Sequence, residues 1–125
     1  MSYMRTLPIF PLNIVLFPFE TIPLRIFEDR YKQMLHDSLN NDSKIGISLI
    51  KSGDEVGGPA KTYDIGTIAE IKSSEKTDSD EYYLMVEGVE KFQIQKIVTE
   101  TPYTVAEIVT TEKSSEEVML DNNEL

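Results

Sequence analysis

The sequence predicts a mainly β fold, a compact barrel or sandwich of about six or seven strands with one α-helix. Three observations carry this prediction. Apolar and polar residues alternate in several short runs beyond residue 44, one run has the three- and four-residue spacing of a helix face, and four prolines break up the apolar opening segment.

That opening segment reads LPIFPLNIVLFPFETIPLRIFEDRY, residues 7–31. Pro8, Pro11, Pro18 and Pro23 lack an amide hydrogen, which excludes a long helix and confines strands to short or edge positions. The side chains between them are core material: Leu7, Ile9, Leu12, Ile14, Leu16, Phe17, Phe19, Ile22, Leu24, Ile26 and Phe27. An extended, bent segment that wraps a core and lends it short strands satisfies both facts. From Phe27 the spacing changes, and Phe27, Tyr31, Met34, Leu35 and Leu39 share one face of a helix over residues 28–40. Glu28 and Asp29 suit the positive end of its dipole, and Asn40-Asn41 offers a stop. His36 falls on the opposite, solvated face.

After the helix the period drops to two. KIGISLI puts Ile45, Ile47 and Leu49 on one face, YDIGTIAEI does the same with Ile65, Thr67, Ala69 and Ile71, and KFQIQKI alternates Phe92 and Ile94 with Gln93 and Gln95. EYYLMVEG and YTVAEIV are two further strands, rich in β-branched and aromatic residues and covered on both faces. SSEKTDSDE, residues 73–81, reads as a solvated hairpin loop, while Gly66 and Gly88 mark a bulge or a close backbone approach. Ser114, followed by Glu117 and then Val118, Met119 and Leu120, has the form of a capping box that opens a helix. The expected organisation is a β domain over residues 1–112 and an acidic tail or helix start over residues 113–125.

A chain of 125 residues, 40% of them hydrophobic, is large enough for one core. Without cysteine and with a single histidine, it offers neither a disulfide framework nor the nitrogen and sulfur ligands of a structural zinc site. Twelve Lys and Arg against 22 Asp and Glu give a net charge of -10, which opposes phosphate-driven nucleic-acid binding and attraction to an anionic membrane. Prolines also interrupt the opening run before it reaches the length of a signal or a spanning helix, so a cytoplasmic chain with no membrane partner is expected.

No catalytic motif emerges. GDEVGGPAKT ends in Lys61-Thr62 as a phosphate-binding loop does, but Ala60 and Glu55 stand where that motif needs glycine, and Asp54 and Glu55 would repel a phosphate. It reads as a flexible connection between strands. There is no cysteine nucleophile and no Gly-x-Ser-x-Gly elbow, and the acidic residues cluster in loops and the tail. The expectation is a protein that is not an enzyme and uses no metal or cofactor.

Four blocks in order, the opening segment, EVGGPAKTYDIGTIAEI, LMVEGVEKFQI and PYTVAEI, give the chain a pattern that resembles the N-terminal, substrate-binding domain of the ATP-dependent Lon protease family. The domain also occurs in stand-alone proteins and in cereblon, and the resemblance spans residues 7–109. It implies a PUA-like pseudo-barrel and a non-catalytic protein-recognition module, the ATPase and Ser-Lys peptidase chemistry of Lon residing in later domains. Partners implied are unfolded or misfolded protein clients, or a protease or other partner protein, with self-association open. PUA-like barrels include RNA binders, so RNA binding is an alternative, as is an assembly or scaffold role; the charge leads us to expect no nucleic acid. Where the family often has Gly-x-x-Arg-Phe, this chain has Gly88, Val89, Glu90, Lys91 and Phe92, and lysine lacks arginine's bidentate fork.

Proline-bent loops rarely bury every side chain, so Phe17, Phe19 and Ile22 are the candidates for an apolar protein-binding patch. Glu28, Asp29 and Arg30 at the helix start are candidates for its polar rim.

Overall fold

The computed structural model describes residues 3–53 and 61–110. In chain order the elements are β1 (Tyr3–Leu12), β2 (Thr21–Ile26), α1 (Asp29–Leu39), β3 (Lys44–Ser52), β4 (Lys61–Lys76), β5 (Tyr82–Thr99) and β6 (Val105–Thr110). The six strands form one mixed sheet in the order β2-β5-β4-β3-β1-β6, and β5 also pairs with β6, so five of them close into a barrel with β2 outside it. This is the mainly β, PUA-like architecture expected from the residue spacing and the resemblance.

The prolines shape β1 in a way the sequence did not suggest. Despite Pro8 and Pro11, it is a 10-residue strand inside the barrel wall. Residues 3–8 pair antiparallel with β6 and residues 9–12 parallel with β3, so each half of the strand has a ladder on one side. The Ile9 amide donates to the Thr104 carbonyl at 2.9 Å, and the Pro11 nitrogen, two residues on, faces the same side beyond the start of β6. Pro8 faces the other side, before pairing with β3 begins at Ile9. Both rings therefore occupy places where no ladder bond is required.

β5 is a second departure. The runs read as separate strands, EYYLMVEG and KFQIQKI, join into one strand of 18 residues. Its first part pairs with β2, Thr21 opposite Glu87 through Ile26 opposite Tyr82, and its last part pairs with β6 from Gln93 to Thr99. Register shifts against β4 between Ile68 and Ala69 and between Ile71 and Ser73 bend the long strand from one layer into the other. β4 also runs on through Ser73 to Lys76, leaving only residues 77–81 as the hairpin loop.

Two cores result. Leu7, Ile9, Ile68, Phe92, Ala106 and Ile108 fill the barrel. The Phe92 ring lies over the open spaces at Gly46 and Gly66, where an added Cβ would come within 2.9 and 2.7 Å of it. On the other face Ile45, Ile47, Ala69, Ile71, Leu84 and Val86 pack against Leu24 and Ile26 of β2 and Tyr31, Met34 and Leu35 of α1. Tyr31 meets Phe10 edge-on, with ring centroids 4.6 Å apart. The helix turns its last residue outward, so Leu39 is exposed and Ser38 is buried in its place. Asn40 caps it, its amide bonding the His36 carbonyl at 3.2 Å. His36 is exposed, as its position on the polar face predicts. Most of the glycine-rich connection, residues 54–60, and the Ser114 capping box lie outside the described residues.

Candidate functional site

Between β1 and β2, residues 13–20 cross the open face of the sheet and are fixed to it at two points. Leu16 is buried, and its carbonyl accepts a 2.6 Å hydrogen bond from the hydroxyl of Thr67 on β4. Further along, the Phe19 amide donates to the Gly88 carbonyl and the Gly88 amide to the Glu20 carbonyl, both at 2.8 Å. Only glycine fits at 88, because a Cβ there would lie 2.3 Å from the Phe17 carbonyl oxygen.

Between these anchors the chain makes a tight turn. The Glu20 amide bonds the Phe17 carbonyl at 3.1 Å, Pro18 takes the position its fixed φ suits, and Phe19 has φ 71°. A turn of this kind ordinarily has glycine or asparagine in that place. The Glu20 carboxylate reaches back to accept the Phe17 amide at 3.1 Å. Held in this way, Phe19 is 86% exposed and Phe17 58% exposed.

Next to the turn lies an apolar groove of about 210 Å³, with Ile14, Val15 and Phe17 on one wall and Tyr63, Ile65 and Leu49 on the other. Ile14 and Ile65, expected in the core, are largely exposed here. The reason is tertiary: the loop covers the sheet face of β4 at Thr67 and stops short of Ile65. Among the described residues Lys91 is the one charged side chain lining the groove. The Lys51 ammonium lies 5.9 Å from the centre of the Tyr63 ring at the rim.

A second, larger pocket of about 370 Å³ opens on the other side of Ile14, lined by Phe10, Pro23, Phe27, Tyr31, Arg25 and Glu28 among others. Arg25 lies over the Phe27 ring at 4.9 Å and forks onto Glu81 with two bonds of 2.8 Å. The donated bonds hold the Glu81 carboxyl below the usual carboxylate range. Arg30 covers the Tyr31 ring at 4.6 Å and pairs with Glu28 at 3.1 Å.

The predicted residues thus fall into two sets. Phe17 and Phe19 stand out from the loop, while Ile22 is half-buried and packs against the core. Glu28 borders the second pocket beside its partner Arg30, and Asp29 is fully exposed. Ile14 is the residue that belongs to both cavities. Sequence reasoning missed Val15, Tyr63, Ile65 and Lys91 as groove residues; a run of three aliphatic residues in a proline-flanked loop, Ile14 to Leu16, was the available signal for the first. Among the described residues no cluster of His, Asp and Glu is placed to hold a metal ion, and no helix is long and apolar enough to cross a membrane.

A closed small barrel that presents an apolar loop and groove has the form of a protein-interaction domain. Comparison with known proteins identifies which one. Residues 6–124 match the family model described as the ATP-dependent protease La (LON) substrate-binding domain, and the chain belongs to that family. It is 33% identical over 121 residues to Lon protease 2 of Myxococcus xanthus and 32% identical over 111 residues to Lon protease of Anaeromyxobacter dehalogenans. These alignments cover 94% and 87% of the chain, but the chain spans only 15% and 13% of those two proteins. The 125 residues correspond to the substrate-binding region of Lon and hold neither its ATPase nor its peptidase part. A crystal structure of a Lon N-terminal domain protein from Xanthomonas campestris superposes with a TM-score of 0.72 at 28% identity, covering 94% of this chain and 70% of that one. The N-terminal domain of Lon protease from the Mycobacterium avium complex shares the fold, with a TM-score of 0.63 at 16% identity and coverage of 95% and 63%.

Proposed function

We propose that this chain is a non-catalytic recognition module that binds exposed apolar segments of unfolded or misfolded polypeptides, with Phe17 and Phe19 as anchors and the adjoining groove as the receiving surface. The observation that supports this most is Phe19, which combines a φ of 71° with 86% exposure. Core packing explains neither feature, whereas a contact surface uses both. Ile22 extends the apolar side toward β2, and Glu28, Asp29 and Arg30 form a polar rim at the start of α1.

Magnitudes set the mode of action. Two apolar anchors at about 2 kcal/mol each supply about 4 kcal/mol, close to millimolar affinity. A single copy grips weakly, and firm retention of a client requires several copies held together. Titration of the isotope-labelled chain with a permanently unfolded protein, followed by amide NMR at two salt concentrations, tests the reading. Shifts centred on residues 14–20 and 63–67 that persist in salt support it. Absence of shifts at millimolar client, or shifts confined to other surfaces, refutes it.

A further inference from the structure

We infer that the groove beside Phe17 discriminates among apolar segments, taking those in which an aspartate or glutamate side chain adjoins the apolar residues, with the carboxylate reaching Lys91. This rests on the polypeptide-binding reading above and adds a selection rule to it. In a chain of net charge -10, the charged side chain lining the groove among the described residues is a cation. Among the described residues Lys91 makes no ion pair, whereas Arg25, Lys32, Lys72 and Lys76 each have a carboxylate partner. Lys91 stands opposite Thr67 in the β4–β5 ladder, close to the point where the loop leaves the sheet face open. Lys51, over Tyr63, adds a second positive charge at the rim. An apolar segment with a carboxylate at its flank therefore meets complementary charge, and one with a lysine meets repulsion.

The source of the carboxylate follows from the backbone. Capture of a chain terminus usually relies on free amides arranged as a nest. Here the Phe17 amide is taken by the Glu20 carboxylate, the Phe19 amide by the Gly88 carbonyl and the Glu20 amide by the Phe17 carbonyl, and Pro18 has none. With these three turn amides occupied, the flexible ammonium of Lys91 is the anion contact on the groove wall, and it suits a mobile side-chain carboxylate.

Three unstructured Gly-Ser peptides containing Phe-Leu test the rule by amide NMR titration. Two are C-terminally amidated and carry Asp-Asp or Lys-Lys after Phe-Leu, and the third ends in Phe-Leu with a free carboxylate. The Asp-Asp peptide should bind the native chain about two- to fivefold more tightly than the Lys-Lys peptide, the range for an exposed charge pair. The preference should vanish in Lys91→Met and invert in Lys91→Glu, both at an exposed position where the fold is unaffected by the change. An acidic preference that survives Lys91→Glu, or equal binding of both amidated peptides to the native chain, overturns the selection rule alone. Tightest binding of the free-terminus peptide overturns the side-chain source. Failure of every peptide to shift the groove amides overturns the recognition reading itself.

Discussion

Replacing Phe19 by glycine separates what the ring does from what the backbone endures. A non-glycine residue in the left-handed region, here at φ 71°, costs roughly 1–2 kcal/mol. Phe19→Ala keeps that backbone cost and removes a ring that is 86% exposed, so it should change stability by less than about 0.5 kcal/mol. Phe19→Gly relieves the backbone, while the added freedom of the unfolded chain takes back roughly 0.4–1 kcal/mol. The glycine variant should therefore be more stable than the alanine variant by about 0.5–1 kcal/mol, read from urea unfolding at constant slope. Both variants lose the ring, and with it about 2 kcal/mol of apolar contact, roughly a thirtyfold loss of client affinity. A glycine variant no more stable than the alanine one would show that the turn stores no strain. A glycine variant that still binds unfolded protein like the native chain would show that Phe19 is not an anchor.

Three further outcomes are expected. Gly88→Ala sets a Cβ against the Phe17 backbone and must displace the turn, so it should destabilise by about 1–3 kcal/mol in urea and move the amide resonances of residues 17–20. Thr67→Val leaves the buried Leu16 carbonyl without its donor, costing about 1–3 kcal/mol by the same assay. Tyr103→Phe removes the 2.6 Å hydrogen bond that ties the segment before β6 to Asp37 on α1. Burial and that bond push the Tyr103 hydroxyl from 10.0 up to about 12, so its contribution is full below pH 10 and is lost as pH rises toward 12. The bonds from Tyr103 and then Gln33 lower Asp37, whose contribution is present above its ordinary value of 3.8 and lost as pH falls through the lower folded value. Stability of Tyr103→Phe measured against pH should accordingly fall less steeply than the native curve at both extremes.

Local patterns revealed most of the fold. Alternation placed Ile45, Ile47, Phe92 and Ile94, the three- and four-residue steps placed Tyr31, Met34 and Leu35, and glycine in a strand correctly marked the close approach at Gly88. Of Phe17, Phe19 and Ile22, the candidates that the proline-bent backbone suggested for an apolar patch and that also read as core material, Phe17 and Phe19 are exposed and Ile22 is half-buried. What escaped was decided by distant contacts. Alternation gives Ile65 and Thr67 the same face, but only Thr67 is covered, because the covering loop arrives from 51 residues away. The union of two runs into β5 depends on bulges that re-aim the strand, and neither Gly88 nor Val89 announces continuity. Lys91 stood out in the sequence only as a lysine where the family often has arginine, until the sheet placed it in an apolar wall.

The connectivity of the barrel bears on how the protein reaches its folded state. β1 pairs with the last described strand, Tyr3 opposite Thr110, and the Phe17–Phe19 turn is fastened to Gly88. Contacts so far apart in sequence form late, on the millisecond-to-second scale common for β topologies. Until β3, β5 and β6 are in place, residues 3–26 are an apolar, proline-rich stretch with no ladder to join. They then have the character of the very segments the finished domain is proposed to grip, so a folded copy is a natural trap for an unfolded sister, and refolding yield should fall as concentration rises.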